Sequence, residues 1–194
     1  MGRGRLPHPF PEELVMDSTQ QQKPADHRQN LHGAAAIERL REMVKDSPNC
    51  FFCTHPGAGQ PTDTRPMSVR QVDEAGNFWF LSSSDSLKNA ELASDATVEL
   101  FFQGSEQSGF LHVTGRATVS RDRAKIGELW EPVLKNWFTG GIDDPRITVI
   151  KVTPGDGYYW DNQHGDLVAG IKILMGAATG RTLDDSIEGQ VKPH

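Results

Sequence analysis

Cysteine is scarce in this 194-residue chain, with two residues in all. They stand together in Cys50-Phe51-Phe52-Cys53. A structural zinc site needs a second pair of ligands at suitable spacing, and no other cysteine exists to supply it. A redox CxxC opens a helix, whose N-terminus lowers the first thiol's pKa. Here two Phe fill the middle and the flanks read as a strand, on which the two thiols face opposite sides. The pair is therefore expected to be two buried, small apolar side chains.

Long apolar runs are also lacking. Val168 to Met175 is one of the longest, and it is short for a bilayer and interrupted by Gly170 and Lys172. The charged N-terminus has no apolar stretch behind it, which argues against a secretory signal. The cytoplasm is the expected compartment. Positive charge is in deficit, with 20 Lys and Arg against 26 Asp and Glu and a net charge of -6. The densest basic stretch, Met1-Gly2-Arg3-Gly4-Arg5, sits at a terminus. Such a chain is poorly suited to gripping a polyanion, so neither nucleic acid nor a membrane is an expected partner. No glycine-rich dinucleotide fingerprint follows a strand.

The chain does contain a series of short strand signals. Met1 to Leu31 is a proline-rich, polar segment that reads as a flexible N-terminal arm. Gly33 to Asp46 carries Ala36, Ile37, Leu40, Met43 and Val44 at helical spacing, and Ser47-Pro48 ends the pattern. Strands follow at Asn49 to His55, Thr64 to Val72 and Phe78 to Leu81, the last two forming a hairpin around Glu74-Ala75-Gly76-Asn77. Thr97 to Gln103 and Phe110 to Ser120 are two more. Asp122 to Trp137 reads as a helix that Pro132 kinks or restarts. Ile147 to Val152 and Tyr158 to Trp160 are the last strands, followed by a helix at Val168 to Thr179 and a polar tail over 181–194. About six short strands with few helices predict a mainly β fold, a closed or partly closed antiparallel barrel with flanking helices. The expected domain spans 32–180.

The stretch with most chemistry is Ser82-Ser83-Ser84-Asp85-Ser86-Leu87-Lys88. It predicts a strand end, a hydroxyl-rich turn and a short helix capped by Ser86. Lys88 in the first helical turn opposes the helix dipole. That misfit makes sense if an anion such as a phosphate sits there, although a solvated capped turn accounts for the same residues. Arg65-Pro66-Met67-Ser68-Val69-Arg70 lies on the strand before the hairpin. Pro66 marks an edge or a strand end, and Arg65 and Arg70 have opposite parity on an unbroken strand. Trp137 and Trp160 stand at element ends, where aromatics can wall a ligand or a subunit interface. His55 and His112 lie in strands and His164 in a loop, with no metal-ligand spacing on one element.

These elements, in this order, resemble the pyridoxamine 5'-phosphate oxidase-like FMN-binding split barrels, and most of all their general stress protein branch. The residues that carry the resemblance are Thr64-Arg65-Pro66-Met67-Ser68, Gly76 to Ser82, Ser86-Leu87-Lys88 and Ala117. Trp130-Glu131-Pro132, Trp137-Phe138, Asp144-Pro145, Val152-Thr153-Pro154 and Tyr159-Trp160 add to it. The resemblance implies a split β-barrel that forms a homodimer with FMN at the interface. It implies that Arg65, the backbone of Pro66 and Met67, and Ser68 contact the flavin, with Arg70 a basic residue ending the motif. Leu81 and Ser82 would lie along the flavin, and Ser86 and Lys88 would hold its phosphate. Trp137 and Trp160 would come from the partner subunit.

Two departures bear on activity. Leu87 stands where the oxidase proper has a second basic residue beside Lys88. The run Asp161 to Asp166 contains no Arg, whereas the oxidase carries an Arg- and His-containing substrate motif there. Oxidation of pyridoxamine 5'-phosphate is therefore not expected. Two functions fit, a flavin-dependent oxidoreductase of a small molecule, with His164 a candidate at the open side, or a non-catalytic flavin-binding, storage or sensor protein.

Overall fold

The computed structural model of the chain describes residues 28–57, 59–104, 109–162 and 186–194. Most of the arm, His164 and the helix expected at Val168 to Thr179 lie outside these residues. The order is β1 (Leu31–His32), α1 (Gly33–Asp46), β2 (Asn49–Thr54), β3 (Asp63–Ser68), β4 (Gln71–Val72) and β5 (Phe78–Ser83). Then come α2 (Leu87–Ser94), β6 (Thr97–Gln103), β7 (Phe110–Ser120), α3 (Arg123–Leu129), β8 (Ile147–Asn162) and β9 (Ser186–Lys192). No helix among the described residues is long and apolar enough to cross a membrane.

The fold is mainly β, as expected. Its strands form one mixed sheet in the order β1-β9-β8-β7-β6-β2-β3, with β5 attached to β8 and β4 to β5. The strand expected over Thr64 to Val72 is two strands. Val69 N–H still bonds the Pro48 carbonyl beside β2 (2.8 Å), while Arg70 N–H bonds the Trp79 carbonyl on β5 (2.8 Å). The chain changes partners between adjacent residues, so the sheet wraps round without a closing ladder and the barrel is split. Aromatics meet across its interior. Phe52 of β2 and Phe80 of β5 pack edge to face at 5.3 Å, and Phe78 stacks on Phe102 at 5.9 Å. These pairs add an oriented contribution to the area they bury. Ala36, Leu40, Met43 and Val44 of α1 are buried in the same core, as the helical periodicity predicts.

β8 is a single strand of 16 residues rather than two short ones. Its first half pairs with β5 and its second half with β9, and β7 runs beside both. The register slips between Val113 and Gly115. A Cβ at Gly115 would stand 2.7 Å from the Thr153 carbonyl oxygen, so only glycine allows this approach.

One expectation, a helical restart at Pro132, is met, and the extent of that helix, the C-terminal tail and the end of the arm are corrected. The helix of Asp122 to Trp137 ends at Leu129. Trp130 is extended, and Pro132–Asn136 is a separate 3-10 helix with Pro132 at its start. Ile126, Leu129, Leu134 and Phe138 form a second core with Ile147 and Val149. The C-terminal segment is not a tail, since β9 pairs with β8 and buries Ile187 and Val191. The end of the arm joins it, because β1 pairs with β9 in parallel. Alternation in Ser186-Ile187-Glu188-Gly189-Gln190-Val191 is short and glycine-broken, which hid the strand.

Candidate functional site

Arg65 projects from β3 towards α2. Its Nη1 donates to Thr54 Oγ1 (3.0 Å) and its Nη2 to Glu91 Oε2 (2.9 Å), and Asp63 is also paired with it. Thr54 Oγ1 in turn donates to Glu91 Oε2 (2.5 Å). Thr54 is fully buried, and only 19% of the Arg65 side chain is exposed.

The serine turn leads into the N-terminal end of α2. Ser82 is buried, and its hydroxyl donates to Asn89 Oδ1 (3.1 Å) and lies 3.2 Å from Ser86 Oγ. Asn89 Nδ2 donates to Thr148 Oγ1 (2.9 Å), which donates to the Ser82 carbonyl (3.0 Å). This fixes the Asn89 amide and the Ser82 hydroxyl together. Ser86 holds the N-cap position, but its side chain caps nothing, contrary to expectation. The backbone N–H groups of Leu87 and Lys88 therefore have no acceptor among the described residues. Unfilled donors at a helix start attract anions.

Lys88 forms no ion pair among the described residues, whereas Arg65 forms two. Burial pushes the Lys88 ammonium below its ordinary pKa, and the nearby Arg65 charge adds to this, opposed by Glu91 and Asp85. Of these two cations only Arg65 is ion-paired among the described residues. Arg146 stands behind the turn, its carbonyl accepting from Ser84 N–H (2.8 Å). Its guanidinium donates twice to Asp144 (3.1 and 2.8 Å), which holds that carboxyl well below the usual range.

The other expected site residues fall elsewhere. Pro66 points to the opposite face of β3 and borders a cavity of about 550 Å³ shared with Phe51, Phe101, Phe110, His112 and Trp160. Pro66 and Trp160 thus line one cavity within one protomer. Met67 packs against the main core, and Ser68 pairs in register with Asn49. Leu81 packs against the second core, on the α3 side. Arg70 is paired with Glu131 and lines a separate cavity beside α1, with its buried Nε lacking an acceptor. Trp137 follows the 3-10 helix and is 66% exposed. Four of the eleven expected residues, Arg65, Ser82, Ser86 and Lys88, therefore gather round α2. The residues that tie them together, Thr54, Asn89, Glu91 and Thr148, were missed. Thr54 gave a faint signal as a polar residue ending an apolar strand.

The remaining candidates, the cysteines and His112, are held by packing or by neighbouring side chains. Cys50 and Cys53 are both buried, and burial raises the Cys50 thiol to about 12, with Cys53 adding to the rise. His112 Nε2 lies 2.9 Å from Glu99, and its ring stacks on Phe101 at 4.4 Å. No group of three metal-ligating side chains occurs among the described residues.

A split barrel with a hydroxyl cluster and two cations beside a short helix defines the class of protein. Residues 35–184 match the family model described as pyridoxamine 5'-phosphate oxidase like, and the chain belongs to that family. Protein bli-3 of Neurospora crassa is 26% identical over 127 residues, which is 61% of each chain. The match thus spans less than two thirds of that relative. Among solved structures, a general stress protein 26 from Jannaschia sp. CCS1 superposes with a TM-score of 0.63 at 23% identity, covering 80% of this chain and 96% of that one. The general stress FMN/FAD binding protein of Xanthomonas citri superposes at 0.52 and 22% identity, covering 61% and 82%. These neighbours are split barrels of the same fold.

Proposed function

We propose that the chain binds FMN as a homodimer and serves as a flavin-dependent oxidoreductase of a small molecule. One observation carries the reading. Ser86 leaves the first turn of α2 uncapped, beside a fixed Arg65 and a Lys88 that forms no ion pair among the described residues. This donor set suits the phosphate of FMN, through two backbone N–H groups, the Ser86 hydroxyl and two cations. The bound flavin would supply the electron chemistry, and the protein would position and tune it. The flavin binding named for the Xanthomonas citri protein supports the same assignment.

Exposed aromatics support pairing of two copies. Trp137 is 66% exposed and Trp160 is 42% exposed, which is unusual for so large an apolar side chain. The aromatic cavity at Pro66 and Trp160 is a place for a ring. A pyridoxamine 5'-phosphate substrate lacks its charge partner, because Asp161 to Asp166 contains no Arg. That same absence favours a second reading, a flavin-holding protein without turnover.

A visible absorption spectrum of the purified protein, with and without added FMN, tests the first claim. A flavin spectrum that co-elutes with the protein supports it, and a colourless protein that does not take up FMN refutes it. Steady oxidation of NADH or NADPH by oxygen, well above that of free FMN, then selects the enzyme. No turnover in any substrate panel selects the holder.

A further inference from the structure

We infer that Glu91 is the positioning residue of the phosphate subsite, holding the Arg65 guanidinium at the angle that lets the site tell a phosphorylated flavin from an unphosphorylated one. The inference rests on the FMN reading above. Its basis is a closed ring of three hydrogen bonds. Arg65 Nη1 donates to Thr54 Oγ1 (3.0 Å), Thr54 Oγ1 donates to Glu91 Oε2 (2.5 Å), and Arg65 Nη2 donates to the same oxygen (2.9 Å). The three residues come from β2, β3 and α2, so the ring fixes the guanidinium against two strands and a helix at once.

The donor count leaves work for a ligand. A guanidinium has five N–H groups. Thr54, Glu91 and Asp63 engage three, and two remain. Only 14% of the Glu91 side chain is exposed, so its charge acts where water screens poorly. Glu91 also lies three residues after Lys88 on α2 and favours that ammonium, whereas Arg65 opposes it. The carboxylate therefore offsets the repulsion between these two like charges. Without it, Arg65 has a buried Thr54 partner with an unused hydrogen and a repelling Lys88.

The test measures dissociation constants for FMN and for riboflavin, by quenching of flavin fluorescence, in the wild type and in E91A, E91Q and T54V. The reading is the ratio of the riboflavin constant to the FMN constant. E91A should reduce that ratio about tenfold, because a charge-assisted anchor is lost. E91Q keeps an acceptor oxygen but not the charge, and T54V opens the ring but keeps the ion pair, so each should reduce it about threefold. Riboflavin affinity should stay within about twofold throughout. Equal loss for both ligands assigns Glu91 to general support of the fold and overturns the inference, as does an unchanged ratio in E91A. Should E91A fail to fold, the nearly isosteric T54V decides by the same ratio. A wild type that binds FMN and riboflavin alike overturns the phosphate reading itself, and the inference with it. A wild type that prefers FMN while E91A keeps the preference overturns only the role of Glu91.

Discussion

The hydroxyl of Ser86 lies 3.2 Å from that of Ser82, although Ser86 occupies the N-cap of α2. A serine at this position ordinarily accepts from the first-turn N–H groups. Here it is drawn to the Ser82–Asn89–Thr148 network, and the helix start stays open. Removing a functioning cap costs about 1 kcal/mol. S86A should cost much less in urea unfolding, because there is no cap to lose. It should weaken FMN binding about three- to tenfold, since one donor to the phosphate goes. A full cap's loss of stability with unchanged FMN affinity would assign Ser86 to the helix alone.

Lys88 is expected to work against the apo fold. Its ammonium is desolvated and stands near Arg65, so the folded chain binds that proton less tightly than the unfolded chain. The sign follows. Between the lowered folded value and the ordinary lysine value of 10.5, the unfolded state holds more protons, and stability rises with pH. K88M should therefore leave apo stability near neutral pH unchanged or slightly raised, and should flatten that rise in alkaline urea titrations. The same variant should weaken FMN binding about tenfold or more while sparing riboflavin. Equal losses for the two ligands would remove Lys88 from the phosphate.

The barrel was legible because its signals are local. Helix α1 and strands β6 and β7 fall where periodicity places them, since each presents one apolar face to one core. The break between β3 and β4 was not legible. It depends on which strand each residue bonds, and Val69 and Arg70 carry no turn residue to announce the change. Strand β9 was hidden for a related reason, because its burial comes from pairing with β8 and β1, which are remote in sequence. At the site, Lys88 stood out as a cation at the wrong end of a helix. Glu91, Asn89 and Thr148 could not, because each matters only through a partner on another element. Arg65 and Arg70 were expected on opposite faces of one strand, but not on two strands, where one meets Glu91 and the other Glu131.

The cysteines should be inert in the native protein. Both are buried, and the Cys50 thiol, raised to about 12 by burial and by Cys53, has almost no thiolate at neutral pH. An aromatic disulfide reagent should label neither within the time that it labels both in denaturant. C50A/C53A should keep its FMN affinity and lose about 1–2 kcal/mol of stability from two small cavities. Fast native labelling, or loss of the flavin in the double variant, would restore a functional role to the pair.

The exposed tryptophans separate a ligand wall from a subunit contact. Trp137 lies beyond the 3-10 helix and is 66% exposed, so it contributes little to its own protomer's core. Trp160 borders the cavity with Pro66 and leans on Tyr158 at 4.7 Å. If two copies pair over these faces, W137A should leave the urea midpoint unchanged yet raise the dimer dissociation constant at least about tenfold, as an aromatic anchor in an interface does. W160A should weaken FMN and riboflavin alike, because a wall for the ring acts on the part they share. Sedimentation equilibrium reads the first effect and flavin titration the second. Diluting the wild type through its dissociation constant should release FMN in step with the dimer. A monomer that keeps its flavin would place the whole site within one chain, where Pro66 and Trp160 line the same cavity.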